Sequence, residues 1–258
     1  MLRFTASAIA IASAMAFTSP VVAQTYVSGS AGISLQGDSS NSGAFTRDFV
    51  TGDGVAVPAG TTLPNGTSVG WDTEFDNGLF IAGALGYRLN ENFRVEFEIS
   101  QNSSDVDTHT DVTAGGAALG AADAAVLITG SAPLGATVAE IVADGQGDIS
   151  TLGYAINAYY DIPLDGFSLY VGAGIGLAEV EVDFTPSDVT IVDNDSESTT
   201  LFQLMAGGAF PLTDQTELFG GYRYRMTDDV AVDSALIPAT LDIENNAHIL
   251  EFGLRYSF

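Results

Sequence analysis

From residue 26 onward the chain repeats one pattern, short runs in which apolar and polar or small residues alternate with a period of two. Such alternation belongs to strands whose two faces meet different surroundings. The third run is the clearest: Phe93, Val95, Phe97 and Ile99 alternate with Arg94, Glu96, Glu98 and Ser100. Before it come a run from Tyr26 to Leu35 and one from Leu79 to Tyr87. After it come Leu152–Asp161, Phe167–Leu177, Phe202–Phe210, Glu217–Met226 and Leu250–Phe258. Eight strands are predicted. In the fifth run the apolar positions change parity beyond Ala178 to Val180, Val182 and Phe184, with Glu179, Glu181 and Asp183 between them. A bulge, or a strand leaving one environment for another, would produce that change.

The connections alternate in length. Asn90-Glu91-Asn92, Pro163-Leu164-Asp165-Gly166 and Thr213-Asp214-Gln215 are tight polar turns, with residues suited to reversing the chain. The other four are long. Short turns at one end and long loops at the other describe an antiparallel up-and-down transmembrane β-barrel. An even strand number places both termini at the short-turn end. Aromatic residues stand at strand ends, where a membrane girdle belongs: Tyr87, Phe93, Tyr160, Phe167, Phe210, Tyr256 and Phe258. A soluble sandwich or lipocalin-like barrel would reverse the faces, and these aromatics weigh against it.

Segment 1–23 reads as a signal peptide. Arg3 supplies the positive start, Phe4 to Phe17 the apolar stretch, and Val21-Val22-Ala23 the small-residue cleavage site. Fourteen helical residues at ~1.5 Å each span about 21 Å, short of a ~30 Å hydrocarbon layer, so export is favoured over anchoring. Residues 24–258 would form the barrel. The best later candidate for a spanning helix, Ala124 to Ala139, is broken by Gly130, Ser131, Pro133 and Gly135.

The signal peptide, the run Leu169-Tyr170-Val171-Gly172-Ala173-Gly174-Ile175-Gly176 and the ending Leu254-Arg255-Tyr256-Ser257-Phe258 resemble the opacity-type, OmpA-like outer-membrane β-barrel family. The resemblance covers the mature chain and implies a Gram-negative outer membrane, contact with its lipid and lipopolysaccharide, and recognition of the terminal strand by the barrel-assembly machinery. That role falls on Phe252, Leu254, Tyr256 and Phe258. The family also includes adhesins and surface antigens, which implies a host or surface ligand for the loops.

Charge sharpens the picture. All seven basic residues are arginines and the formal net charge is −26, which excludes a nucleic-acid partner, since phosphates require a positive footprint. No cysteine is present, so disulfides and thiolate metal sites are absent. Strand parity sends Arg88, Arg94, Arg223, Arg225 and Arg255 to the lumen with Glu96, Glu98, Asp161, Glu217 and Glu251. Five charges of each sign in so narrow a barrel predict a plug of ion pairs, because buried charge must be paired. Arg223 and Glu251, at similar depth on neighbouring strands, are expected to interact. A selective pore for small solutes is the alternative.

The remaining acids lie mostly in the loops. Repulsion from an anionic leaflet predicts diffuse stabilisation by Ca²⁺ or Mg²⁺, with no other cofactor. Asp193, Asp195 and Glu197 have the spacing of a calcium-loop fragment but lack the glycine and distal glutamate of an EF-hand; Asp144 and Asp148 are a similar pair. For each set taken singly, a solvated turn is the favoured reading. The two histidines, His109 near Asp107 and Asp111 and His248 near Glu244 and Glu251, lie outside any His-x-Ser pattern, so no catalytic residue is assigned. The alanine-rich second loop admits a helix over Ala136–Ala143, packed over the barrel mouth, or a loosely ordered segment.

Overall fold

The computed structural model describes residues 24–52, 60–129 and 133–258; the signal peptide expected over 1–23 lies outside them. In chain order the elements begin with β1 (Gln24–Gln36), β2 (Ser39–Phe45), β3 (Phe49–Val50), β4 (Thr62–Leu63), β5 (Ser68–Phe75) and β6 (Asn77–Arg88). Then come β7 (Phe93–Ala114), β8 (Ala117–Ala118), α1 (Ala124–Thr129), α2 (Val138–Val142), β9 (Gly147–Leu164) and β10 (Phe167–Phe184). A 3-10 turn, Pro186–Asp188, precedes β11 (Val192–Pro211), β12 (Thr216–Thr227), β13 (Val230–Asp233), β14 (Ala239–Ile243) and β15 (Asn246–Ser257).

The fold is therefore all-β and antiparallel, with more strands than the eight predicted runs. Those runs are β1, β6, β7, β9, β10, β11, β12 and β15. They pair in the order β7-β6-β1-β15-β12-β11-β10-β9, and β9 pairs back to β7. Each strand of this set thus has two neighbours, and the chain's first and last strands pair directly, Tyr26 with Ser257 and Gln36 with Ala247. The additional strands come from segments expected to be loops. β2 and β5 continue β1 and β6 upward as one hairpin, β5 pairs with the far half of β7, and the β13–β14 hairpin docks through β14 onto β2.

The turns at the opposite end are short. Asp165 and Gly166 form a two-residue hairpin between Leu164 and Phe167, and Gly166 takes the positive φ of 84° that this turn requires. Pro163 and Leu164 belong to the strand rather than the turn.

On β10 the side chains facing out are Phe167, Leu169, Val171, Ala173, Ile175 and Leu177, eleven residues of chain. That matches the ~9–11 residues a strand needs to cross a bilayer. Above Leu177 the outward face becomes Glu179, Glu181 and Asp183, while Val180 and Val182 are fully buried inside. The pairing of β10 with β9 runs unbroken from Phe167 to Phe184, and its one irregularity against β11, between Val182 and Phe184, lies above the change, so no bulge causes it. The strand keeps its parity, and its environment inverts.

Two interiors result. Below the inversion the lumen is polar and the outer face apolar. Above it Val106, Ile149, Val180, Val182, Phe184, Val192, Leu201, Val232, Leu241 and Ile243 form an ordinary apolar core. Each such side chain contributes ~1.5–3 kcal/mol on burial from water, so this head is held by the usual hydrophobic effect. A second cluster, Ala114, Leu119, Ala122, Leu127, Val138 and Val142, packs α1 and α2 against β7.

Candidate functional site

The lumen charges sit in layers because they occupy inward positions at successive depths along β6, β7, β9, β12 and β15. Nearest the short turns, the Glu217 carboxylate accepts from Arg88 Nη2 and Arg255 Nη1, both at 2.7 Å. Next, Arg94 donates through Nε to Asp161 Oδ2 at 3.1 Å and through Nη1 to Glu96. Glu96 also accepts from the Tyr26 hydroxyl at 2.7 Å. The Arg94 guanidinium carbon lies 3.6 Å from the centre of the Tyr159 ring, a cation–π contact strengthened by desolvation. Tyr26 and Tyr159 were not among the expected site residues, although their inward parity was readable.

The central layer is built on Arg223. Its Nη1 and Nη2 donate to the two Glu98 oxygens at 2.6 and 3.0 Å, and Nη2 also donates to Glu251 Oε1 at 2.9 Å. Gln203 Oε1 accepts a further bond from Nη1 at 2.7 Å. Glu98 also accepts from Asn157 and Gln203, and Glu251 from Ser30 at 2.8 Å. Arg223 lies opposite Ile249, whereas Glu251 lies opposite Gly221. The two side chains meet diagonally, and Glu98 from across the lumen is the bidentate partner.

Arg225 differs from the other lumen arginines. It is 2% exposed, its Nη1 donates to Asn102 Oδ1 at 2.8 Å, and no salt bridge reaches it among the described residues. Its Nη2 fits against Gly153, where an added Cβ would lie 1.9 Å away. Little space remains around these groups. A void of about 20 Å³ borders Arg94, Glu98, Tyr159, Arg223 and Glu251, roughly enough for one water.

The outward face of the terminal strand is apolar, with Phe252 71% and Phe258 68% exposed and Leu254 and Tyr256 between them. His248 also faces outward, stacked on Tyr224 at 4.9 Å between ring centres and hydrogen-bonded through Nδ1 to the Tyr222 hydroxyl at 2.6 Å. It belongs to an aromatic cluster at the top of the apolar band and has no acidic partner among the described residues. His109 is buried in the head, and its Nδ1 lies 2.9 Å from Thr73 Oγ1. Register shifts between β5 and β7 at Gly70/Asp72 and Glu74/Phe75 turn it inward, away from Asp107 and Asp111.

Asp193, Asp195 and Glu197, expected in a loop, are part of a strand. These residues lie in β11, where extended geometry separates successive side chains, and Asp195 Oδ2 accepts from the Asp233 backbone at 3.2 Å. Asp144 likewise accepts from Ser187 and Gln146. Asp148 stands between Asp105 and Asp183 in one cross-strand row; desolvation, then Asp183 and Asp105, raise its pKa. Among the described residues no group of three or more His, Asp or Glu is arranged to hold a metal ion.

The second loop holds two short helices rather than one. α2 begins at Thr137 with a capping box closed by Glu140. The Asp123 carboxylate accepts from the backbone of Val126, Leu134 and Gly135 and thereby ties α1 to the segment preceding α2.

An apolar outer band over a charged interior defines an outer-membrane β-barrel protein. The sequence matches the family described as outer membrane protein beta-barrel domain over residues 4–258, and the chain belongs to that family. Its place is the outer membrane of a Gram-negative bacterium. It is 35% identical over 128 residues to an uncharacterized protein of Brucella abortus strain 2308; the match covers 40% of this chain and 45% of that protein. The chain thus spans about half the length of the curated relatives it matches. Among solved structures it is similar to Neisserial surface protein A, at 14% identity and a TM-score of 0.46 over 91% of this chain and 97% of that one. It is also similar to Ail, the attachment invasion locus protein of Yersinia pestis, at 16% identity and a TM-score of 0.35, covering 90% and 99%.

Proposed function

We propose that the eight strands paired in a ring are the membrane-spanning barrel, that its lumen is plugged, and that its function is to hold a structured acidic head at the cell surface without catalysis. The central observation is the layered ion-pair network, whose groups fill the cross-section and leave room for about one water. Supporting the non-enzymatic reading, His109 and His248 hydrogen-bond to Thr73 and Tyr222 rather than to an acid. The head then serves envelope stabilisation or adhesion to a host or other surface.

In this reading the chain is exported and cleaved after Ala23. The outward Phe252, Leu254, Tyr256 and Phe258 present the signal read by the assembly machinery, and lipopolysaccharide surrounds the outer rim. Ca²⁺ or Mg²⁺ would screen the acidic head diffusely; unchanged melting and loop proteolysis in millimolar EDTA would remove that part.

Planar-bilayer conductance of the refolded mature protein tests the plug. Silence apart from rare flickers is expected. Stable ohmic steps that change when Arg223 or Glu251 is neutralised would replace this reading with a narrow channel for small solutes. A shift in lipid products that disappears with His248→Ala or His109→Ala would replace it with a lipid-modifying enzyme.

A further inference from the structure

The sheet of the head almost closes on itself. Its strands run in the paired order β13-β14-β2-β5-β7-β9-β10-β11, and the upper part of β11 comes back beside β13. From Val192 to Thr200, β11 pairs with β10 alone, because its ladder with β12 begins at Leu201. β13 pairs with β14 alone. Among the described residues no ladder joins β11 to β13.

Bonds at two ends hold this seam. At its foot Asp228 N donates to Thr200 O at 3.3 Å, and Thr199 Oγ1 donates to Asp228 O at 3.2 Å. At its top Ala235 N and Ser234 Oγ donate to Ile191 O at 2.9 and 3.1 Å. Between them a single carboxylate replaces the rungs of a ladder: Asp195 Oδ1 accepts from Ser196 N at 3.0 Å and Oδ2 from Asp233 N at 3.2 Å. Both margins are acidic, with Asp193, Asp195 and Glu197 on one and Asp228, Asp229 and Asp233 on the other. Like charges facing each other on neighbouring strands oppose pairing. The inner side is apolar, where Val230 and Val232, each 1% exposed, pack with Val180, Val182 and Val192.

The foot of the seam lies at the lipid surface. Thr200 pairs with Leu177, the last outward apolar residue of β10, so the seam rises from the rim of the apolar band. β11 is fixed below by its ladders with β10 and β12. The β13–β14 hairpin is joined to the sheet only by the four residue pairs of β14 with β2. Segments with so few bonds to the rest of a fold are those that open locally.

We propose that the β13–β14 hairpin is a lateral gate in the wall of the head, latched by Asp195. It swings on β2 and bares Val180, Val182 and Val192 sideways, just above the lipid. Such a gate goes beyond the surface-anchor role. It stands above the lumen charges, so a conductance result leaves it untouched.

The chain has no cysteine, so one introduced thiol reports opening. Val232→Cys lies on the inner face of the gate, and Val106→Cys lies in the same core on β7, which the gate does not move. Each variant, refolded into phospholipid bilayers, is labelled with a water-soluble maleimide. Val232→Cys should react at least about tenfold faster than Val106→Cys, whereas opening of the whole head would expose both together. Adding Asp195→Ala should speed the first about tenfold more, by loss of a charged hydrogen bond, and leave the second unchanged. Equal rates at the two thiols, or a rate at Val232→Cys indifferent to the latch, overturns the proposal. Val230→Cys repeats the comparison at a second position, so the question is decided even if one variant fails to fold.

Discussion

Arg223 on β12 and Glu98 on β7, 125 residues apart in the chain, meet across the lumen through two N–H···O bonds of 2.6 and 3.0 Å. Both side chains are at most 3% exposed, so each is the other's main compensation for leaving water. Removing one partner strands a buried charge. Arg223→Ala or Glu98→Ala should cost about 3–5 kcal/mol in denaturant unfolding of the bilayer-refolded protein, and an apolar pair at both positions should still lose stability, because it leaves the buried Glu251 carboxylate without its cation. Single losses that simply add in the Arg223→Ala/Glu98→Ala double variant would mean that the pair fills space without electrostatic coupling.

Gly153 gives Arg225 its place, since a Cβ there would stand 1.9 Å from Nη2. Gly153→Ala should lower the melting temperature, and Arg225→Ala in the same chain should recover part of the loss. A double-mutant cycle measures the coupling, expected on the order of 0.5–3 kcal/mol for groups in contact.

His109 makes the head sensitive to acid. Its folded pKa of about 4 is below the ordinary 6.5, so between those values the unfolded chain binds more protons and stability falls as pH falls. The full effect is about 3 kcal/mol by linkage, complete once pH is below the folded value. Unfolding followed by Trp71 emission from pH 7 to 4 should show this loss, and His109→Phe should flatten it.

Asp148 acts in the opposite sense. Desolvation and the flanking Asp183 and Asp105 raise its pKa, so its charge opposes folding at neutral pH and protonation relieves the strain. Asp148→Asn should raise the melting temperature at pH 7, with a gain that shrinks in high salt. No gain at low ionic strength would show the row to be fully screened already.

Asp123 anchors the second loop through backbone N–H groups of Val126, Leu134 and Gly135, and those bonds, led by that from Gly135, hold its pKa below the usual carboxylate value. Asp123→Ala should speed proteolytic cleavage between α1 and α2 and leave the heat-modifiable gel shift of the barrel intact.

Much of the fold was legible because a strand with unlike faces writes its environment into every second residue. The runs around Phe93, Phe167 and Leu250 gave their strands, and the same parity sent Arg94, Arg223 and Glu251 inward. Parity assigns a face but not a partner. Nothing along β7 says that Glu98, rather than Glu96, reaches Arg223, since that depends on stagger and on which strands lie opposite across the ring.

The head was harder to read. Its strands are short and polar on one side, and β2, β5 and β14 pair between segments far apart in the chain, so Ser39–Phe45 carries no local sign of its neighbours. The parity change at Val180 was visible, but its cause was not: only the regular register of β10 at Val180 with both β9 and β11 separates a change of environment from a bulge.

The sequence by itself determined the two-faced strands, the tight turns and the sign of charge on each face, because these follow from local periodicity and turn chemistry. Only the tertiary structure decided the partners within the lumen, the inward turn of His109 and the seam that Asp195 latches between β11 and β13. Those depend on side chains brought together from distant strands, and a period of two carries no record of what stands opposite.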